Sequence, residues 1–201
     1  VLCLGLFSTI GFSAEFLVIH GDDSGEGSLR WAIKEANLHS GADTVRFAIP
    51  QSDPSFDSTD NFWTIVLYST LTSVTDDSLF IDGYSQRDML PHTPAHQPLI
   101  QISGYGITGE SHGLLLWSAC NRVRGLSLGG FRGATMWIKS QFAHHNRIEG
   151  CHIGVLPDGL SGMYDVKHSR FGVESSRGIY ISQGAHHNQI GGDEDGQRNI
   201  I

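Results

Sequence analysis

In the second half of the chain, apolar residues recur in runs of only three to five, each broken by glycine or asparagine. The runs are GLLLW from Gly113, NRVRGLSLGGF from Asn121, GATMWI from Gly133, NRIEGCHIG from Asn146, GIYI from Gly178 and NQIGG from Asn188. Alternation with period two predicts short strands that send every second side chain inward. A strand this short cannot bury its apolar face alone. Asn146 follows Asn121 by 25 residues, and at that offset Val123 falls on Ile148, Leu126 on Cys151 and Leu128 on Ile153. Apolar residues therefore repeat at equivalent positions. The repeating unit reads as three short strands separated by turns, 20–25 residues in all. That period predicts a solenoid, whose successive levels stack about 4.8 Å apart and share one apolar interior.

A longer echo joins SQFAHHNRI, from Ser140, to SQGAHHNQI, from Ser182, 42 residues later (182 − 140). This step reads as about two levels, with residues 155–177 forming either an irregular level that carries a loop, the preferred reading, or one long loop. Upstream, TVRFAIP, FWTIVLYS, SLFIDG and PLIQISG are β-rich runs. The polar stretches QSDPSFDSTDN and YSQRDMLPHTPAHQ between them read as loops leaving the stack. One segment has helical periodicity instead. Leu29, Ala32, Ile33 and Ala36 share a face, Ser28 can cap the start and Gly41 lies beyond the end, predicting a helix over about 28–38. An open solenoid end needs a cover, and a short amphipathic helix before the first clear strand would supply one.

Residues 1–14, VLCLGLFSTIGFSA, are apolar, uncharged and end in small residues. They read as the remnant of a secretory signal and are too short for a confident membrane span. Residues 15–201 then form the β-rich domain, read as the N-terminal piece of a longer protein. The 25 glycines against 6 prolines suit many tight turns. The formal charge of −8 offers no basic patch for phosphates, so nucleic acid is excluded as a partner. Secretion would permit a disulfide. However, Cys120 maps onto His145 and Cys151 onto Leu126, different corners of the unit, so two free thiols are expected.

DDSGEGSLRWAIKEAN, followed by GADTVRFAIP, is similar to the N-terminal segment of secreted bacterial right-handed parallel β-helix repeat proteins of the pectin-lyase-like superfamily. Some of these carry a Cys-Ser-Leu-Arg-Glu-Ala phrase where this chain reads Gly27-Ser28-Leu29-Arg30-Trp31-Ala32, without the Cys and the Glu. GCHIG, GIYISQGAHHNQIGG and RNII resemble the degenerate repeats of that family. The resemblance implies a right-handed parallel β-helix with a short N-terminal capping helix, in a secreted or cell-surface bacterial protein. The family includes surface adhesins, and the wider superfamily includes polysaccharide lyases and hydrolases.

Asn121, Asn146 and Asn188 read as a structural ladder, because an amide can bond both backbone and the amide above it, and Asn tolerates left-handed backbone. The histidine pairs His144-His145 and His186-His187 invite a metal reading. Two levels would separate them by about 9–10 Å, and i, i+1 residues of a strand face opposite ways, so packing is the expectation. Arg122 and Arg147 share a phase and read as an exposed basic row that could face acidic sugars. The carboxylates Asp22, Asp23, Asp76, Asp77, Asp82, Asp158, Asp165, Asp193 and Asp195 show no partner at a matching phase in the well-registered part. GGDEDGQ, from Gly191, resembles a calcium loop but matches no full ligand spacing. No cofactor or metal is expected, calcium being open but unsupported. Two functions stay open. One is a non-catalytic adhesin or scaffold that binds polysaccharide or cell-surface glycan, where Trp117 and Tyr180 would matter if exposed. The other is a polysaccharide lyase or glycoside hydrolase with its catalytic residues in loops or beyond this chain.

Overall fold

The structure is a computed structural model that describes residues 13–90, 92–163 and 177–201. Strand β1 (Glu15–Val18) precedes helix α1 (Leu29–Leu38). Next come β2 (Thr44–Phe47), β3 (Phe56–Asp57), β4 (Phe62–Val66) and β5 (Phe80–Asp82), then a 3-10 helix over Gly83–Met89. The middle of the chain carries β6 (Ile100–Ser103), β7 (Leu114–Leu116), β8 (Arg122–Arg124), β9 (Leu126–Gly129) and β10 (Ala134–Lys139). The last described strands are β11 (Arg147–Glu149), β12 (His152–Ile153), β13 (Arg177–Ser182) and β14 (Gln189–Ile190).

The fold is mainly β and built from parallel sheets. One sheet has the order β1-β2-β5-β8-β11-β14, a second β12-β9-β6-β4-β3, and a third β13-β10-β7. From β5 onward the strands join the first, second and third sheets in strict rotation. Each circuit lays one level on the one before, so each backbone ladder is satisfied by the neighbouring level.

Register decides the core. In the first sheet Phe16, Val45, Ile81, Val123, Ile148 and Ile190 stand in one column. In the second sheet the column is Ile65, Ile102, Leu128 and Ile153; in the third, Leu114, Met136 and Ile179. Most of these side chains are fully buried. Each buried aliphatic contributes about 1.5–3 kcal/mol relative to exposure. The register of β9 and β12, carried back one residue, sets Leu126 over Cys151, and both are buried.

Helix α1 forms where its four apolar residues, Leu29, Ala32, Ile33 and Ala36, can all be buried. Ser28 Oγ accepts from the Trp31 amide at 3.1 Å, satisfying one of the free N–H groups of the first turn. Trp31 meets Phe16 edge to face at 6.1 Å, so the helix covers the first level of the column. The helix directly precedes β2, the strand expected over TVRF, and a further strand, β1, lies before the helix in sequence and pairs with β2.

Two expectations are corrected, and a third falls mostly outside the described residues. The 42-residue step is one level, not two: Arg147 pairs with Gln189 and Met136 with Ile179 in directly hydrogen-bonded strands. Within 155–177, residues 164–176 lie outside the described set. The start of that interval is a tight excursion, closed by an antiparallel bridge between Val155 and Gly162. The two upstream polar stretches are not plain loops. One contains β3, antiparallel to β4, and the other begins with the 3-10 helix, whose first turn is capped by Asp82 Oδ1 on the Tyr84 amide. Residues 1–12 of the expected leader lie outside the described set.

Candidate functional site

The asparagines come together at one corner. Asn146 Oδ1 accepts from both the backbone amide and the Nδ2 of Asn121, each at 2.9 Å. Asn188 Oδ1 accepts from the same two groups of Asn146, at 2.9 and 3.0 Å. Asn121 Oδ1 accepts from the Leu79 amide one level earlier, at 2.9 Å. At the first level Asp43 Oδ1 does this for the Ala14 amide, at 2.8 Å. Asp43 was not legible as a ladder member. The signal was its place one residue before a strand, where the asparagines also sit.

Just before Asn121, Asn146 and Asn188, and before Leu79 at the equivalent position, the backbone turns left-handed. The column Ser78, Cys120, His145 and His187 has φ of 66, 60, 55 and 53°. The duplicated phrase AHHN is therefore a corner turn. Cys120 is exposed and Cys151 buried, and neither is in a disulfide. Burial pushes the Cys151 thiol up to about 12.

At the same corner the histidine geometry departs from expectation. Because the step is one level, the rings stack: His144 on His186 at 5.1 Å and His145 on His187 at 5.3 Å. The left-handed turn also brings neighbours onto one side. Nδ1 of His144 lies 2.9 Å from Nδ1 of His145, and the His186–His187 pair repeats this at 2.7 Å. Among the described residues no three His, Cys, Asp or Glu side chains converge on one point as they stand.

Arg122 and Arg147 are in register, but they do not form a free cationic row. Glu149, 1% exposed, lies beneath them. Arg122 donates to it through Nε at 2.6 Å and also through Nη2, and Arg147 Nε lies 3.9 Å from its other oxygen. Arg124, in the column of Glu149, forks onto Asp82 at 2.7 and 2.8 Å. Arg122 also lies over the Phe80 ring at 4.9 Å. A buried carboxylate holds such partners because an unpaired buried charge is costly. Glu149 was missed in sequence because it shares no phase with either arginine it neutralises.

The other carboxylates are mostly engaged in turns. Asp77 caps the Ala119 amide at 2.7 Å, and Asp158 accepts from Leu160 and Ser161 at 2.9 and 3.0 Å. Desolvation, with Asp43 nearby, raises Asp76 above its ordinary value. Asp165 lies outside the described residues. In GGDEDGQ, the Gln197 amide group donates to Glu194 at 2.9 Å and closes the turn on itself; Asp193 and Asp195 stand exposed. Asp22 and Asp23 line an open groove of about 560 Å³ with Asp53, Asp57, Thr64 and Tyr68. Of these, Asp23 is paired with Arg30 at 2.5 Å, and Asp53 accepts from the Ser55 amide and hydroxyl.

The outward face of the third sheet differs from the rest of the surface. Met136 and Ile138 point inward and are buried, so Trp137 and Lys139 point out. Trp137 stands in register with Leu115 and Tyr180 and stacks on the Tyr180 ring at 5.4 Å. His112 lies 4.8 Å from Trp137 on another side. Lys139 Nζ sits 4.3 Å over Trp137 and 5.0 Å over Trp117, which is 41% exposed. Arg177 lies over Tyr180 at 4.7 Å. Trp137 Nε1 donates to Ser182 Oγ at 2.8 Å, which fixes its ring plane. Sequence reading singled out Trp117 and Tyr180 but not Trp137, which joins them. The i, i+2 alternation of β10 carried that signal.

No protein-family model, curated protein or solved structure matches the chain.

Proposed function

We propose that this chain is the body of a right-handed parallel β-helix, secreted or displayed on a bacterial surface, that binds glycan without catalysis. The resemblance of residues 16–201 to secreted β-helix repeat proteins supports the fold, and so does the rotation of strands among three sheets. In this reading α1 is the cap.

The observation that carries the binding reading is the platform Trp117–Trp137–Tyr180 with Lys139 and Arg177 across it. Trp137 and Tyr180 stack on one another and carry cations over their rings, so they would meet a sugar by their exposed apolar edges, with the cations giving donors for its hydroxyls or carboxylates. An anchored ring loses little entropy on binding, which favours affinity. The test is a glycan array followed by titration of the best ligand. Trp137→Ala should weaken binding at least tenfold while the thermal midpoint moves by only a few degrees. Retained affinity in Trp137→Ala would refute this face as the site.

The acidic groove at Asp22, Asp23, Asp53 and Asp57 is what favours the second reading, a polysaccharide lyase or glycoside hydrolase. Incubation with pectin, alginate or xylan separates the two. Release of new reducing ends that Asp53→Asn and Asp57→Asn abolish would favour catalysis.

A further inference from the structure

The two stacked histidine pairs at the AHHN corner are not used by the glycan-binding reading. Within each pair the two Nδ1 atoms face one another within hydrogen-bond distance, so in a neutral pair one ring has to carry its proton on Nδ1 and the other has to leave Nδ1 bare. The spacing is informative. Two nitrogens 2.9 Å apart are what two adjacent ligands at right angles present when each metal–nitrogen bond is about 2.05 Å, within the range of metal–imidazole bonds. The left-handed backbone at His145 and His187 fixes this approach on both levels. His145, His186 and His187 are exposed, so solvent can complete the coordination.

We propose that this corner is a transition-metal site, in which Cu2+ bridges the Nδ1 atoms of one histidine pair, His144 with His145 or His186 with His187. Imidazole nitrogens bind Cu2+ most strongly among the first-row divalent ions, and two nitrogens with water oxygens suit its square-planar preference. The step balances without loss of a proton. The Nδ1–H ring passes to its Nε2–H tautomer through solvent, and the ion binds to one side of the line joining the two bare Nδ1 atoms, within reach of both. One ion binds per chain, because the pairs stack 5.1–5.3 Å apart and a second dication would meet the first at that distance. The formal charge of −8 favours approach of a cation.

The test is titration of the untagged chain with CuCl2 at pH 7.5, read by calorimetry and by electron paramagnetic resonance. The expected result is saturable binding of one ion per chain with nitrogen superhyperfine structure. His144→Gln with His145→Asn, or His186→Gln with His187→Asn, should each retain one ion at about half the affinity. Asn is chosen because it accepts left-handed backbone. Combining all four substitutions should abolish this site. A footprint on the unaltered chain keeps the test independent of variant folding: with one ion shared between the two pairs, Cu2+ should slow diethyl pyrocarbonate modification of each of these four histidines to about half, and leave His20 and His92 unchanged. Absence of saturable binding, undiminished binding in the four-fold variant, or no selective protection would each overturn the proposal. None of these outcomes depends on whether Trp137 binds glycan.

Discussion

Asn146→Ala tests the corner ladder at its most enclosed level. The Asn146 side chain is fully buried and makes four hydrogen bonds. It accepts twice from Asn121 at 2.9 Å, and donates to the Ser118 carbonyl and to Asn188 Oδ1, both at 3.0 Å. Alanine removes all four. The Asn121 amide loses its acceptor inside the protein, at about 1–3 kcal/mol, and the other three bonds are each worth about 0.5–1.5 kcal/mol net. Allowing for relaxation, the loss should be about 3–6 kcal/mol, among the larger effects known for one substitution. Asn188→Ala should cost less than half as much, because Asn188 is half-buried and water can reach the freed groups. Urea unfolding followed by circular dichroism and tryptophan fluorescence measures both. Amide exchange at Asn121 adds a local readout, expected to accelerate before the global transition shifts. If Asn146→Ala stays within 0.5 kcal/mol of the parent, or Asn188→Ala costs as much, the ladder does not bear the load argued for it.

Two further predictions concern titration and reactivity. Burial lowers the His152 pKa while its Nδ1 keeps the Leu156 carbonyl at 3.0 Å. Below about pH 6.5 the unfolded chain takes up a proton that folded His152 resists, so stability present above that pH is lost as pH falls toward the folded value. Compared at pH 7.5 and 5, the urea midpoint of His152→Gln should fall less than that of the parent; an equal fall would contradict this. Cys120 should react rapidly with a thiol reagent and Cys151 only on unfolding. Cys120→Ser should thus remove one fast thiol and Cys151→Ser none, and the opposite result would place the two side chains wrongly.

Much of the molecule is legible in local chemistry. The 25-residue spacing of asparagines and aliphatics is the spacing at which β8 and β11, and β9 and β12, pair. The helical face of Leu29, Ala32, Ile33 and Ala36 is the face that is buried. These features depend on alternation, helix periodicity and capping, which act over a few residues. Glu149 beneath Arg122, the Trp137–Tyr180 stack and the facing imidazoles depend instead on which residues meet between levels. Periodicity counts residues, whereas stacking counts levels, and the two agree only where no excursion intervenes. Between Asn146 and Asn188 one does intervene, so 42 residues span a single level. Lengthening a loop adds little closure entropy, since each doubling costs about 0.6 kcal/mol. Chain length therefore constrains this geometry weakly. The sequence by itself determined the short strands, the helix and the asparagine corner. Only the tertiary structure decided how far apart the two AHHN turns stand, because interlevel hydrogen bonds set that distance whatever length of chain lies between.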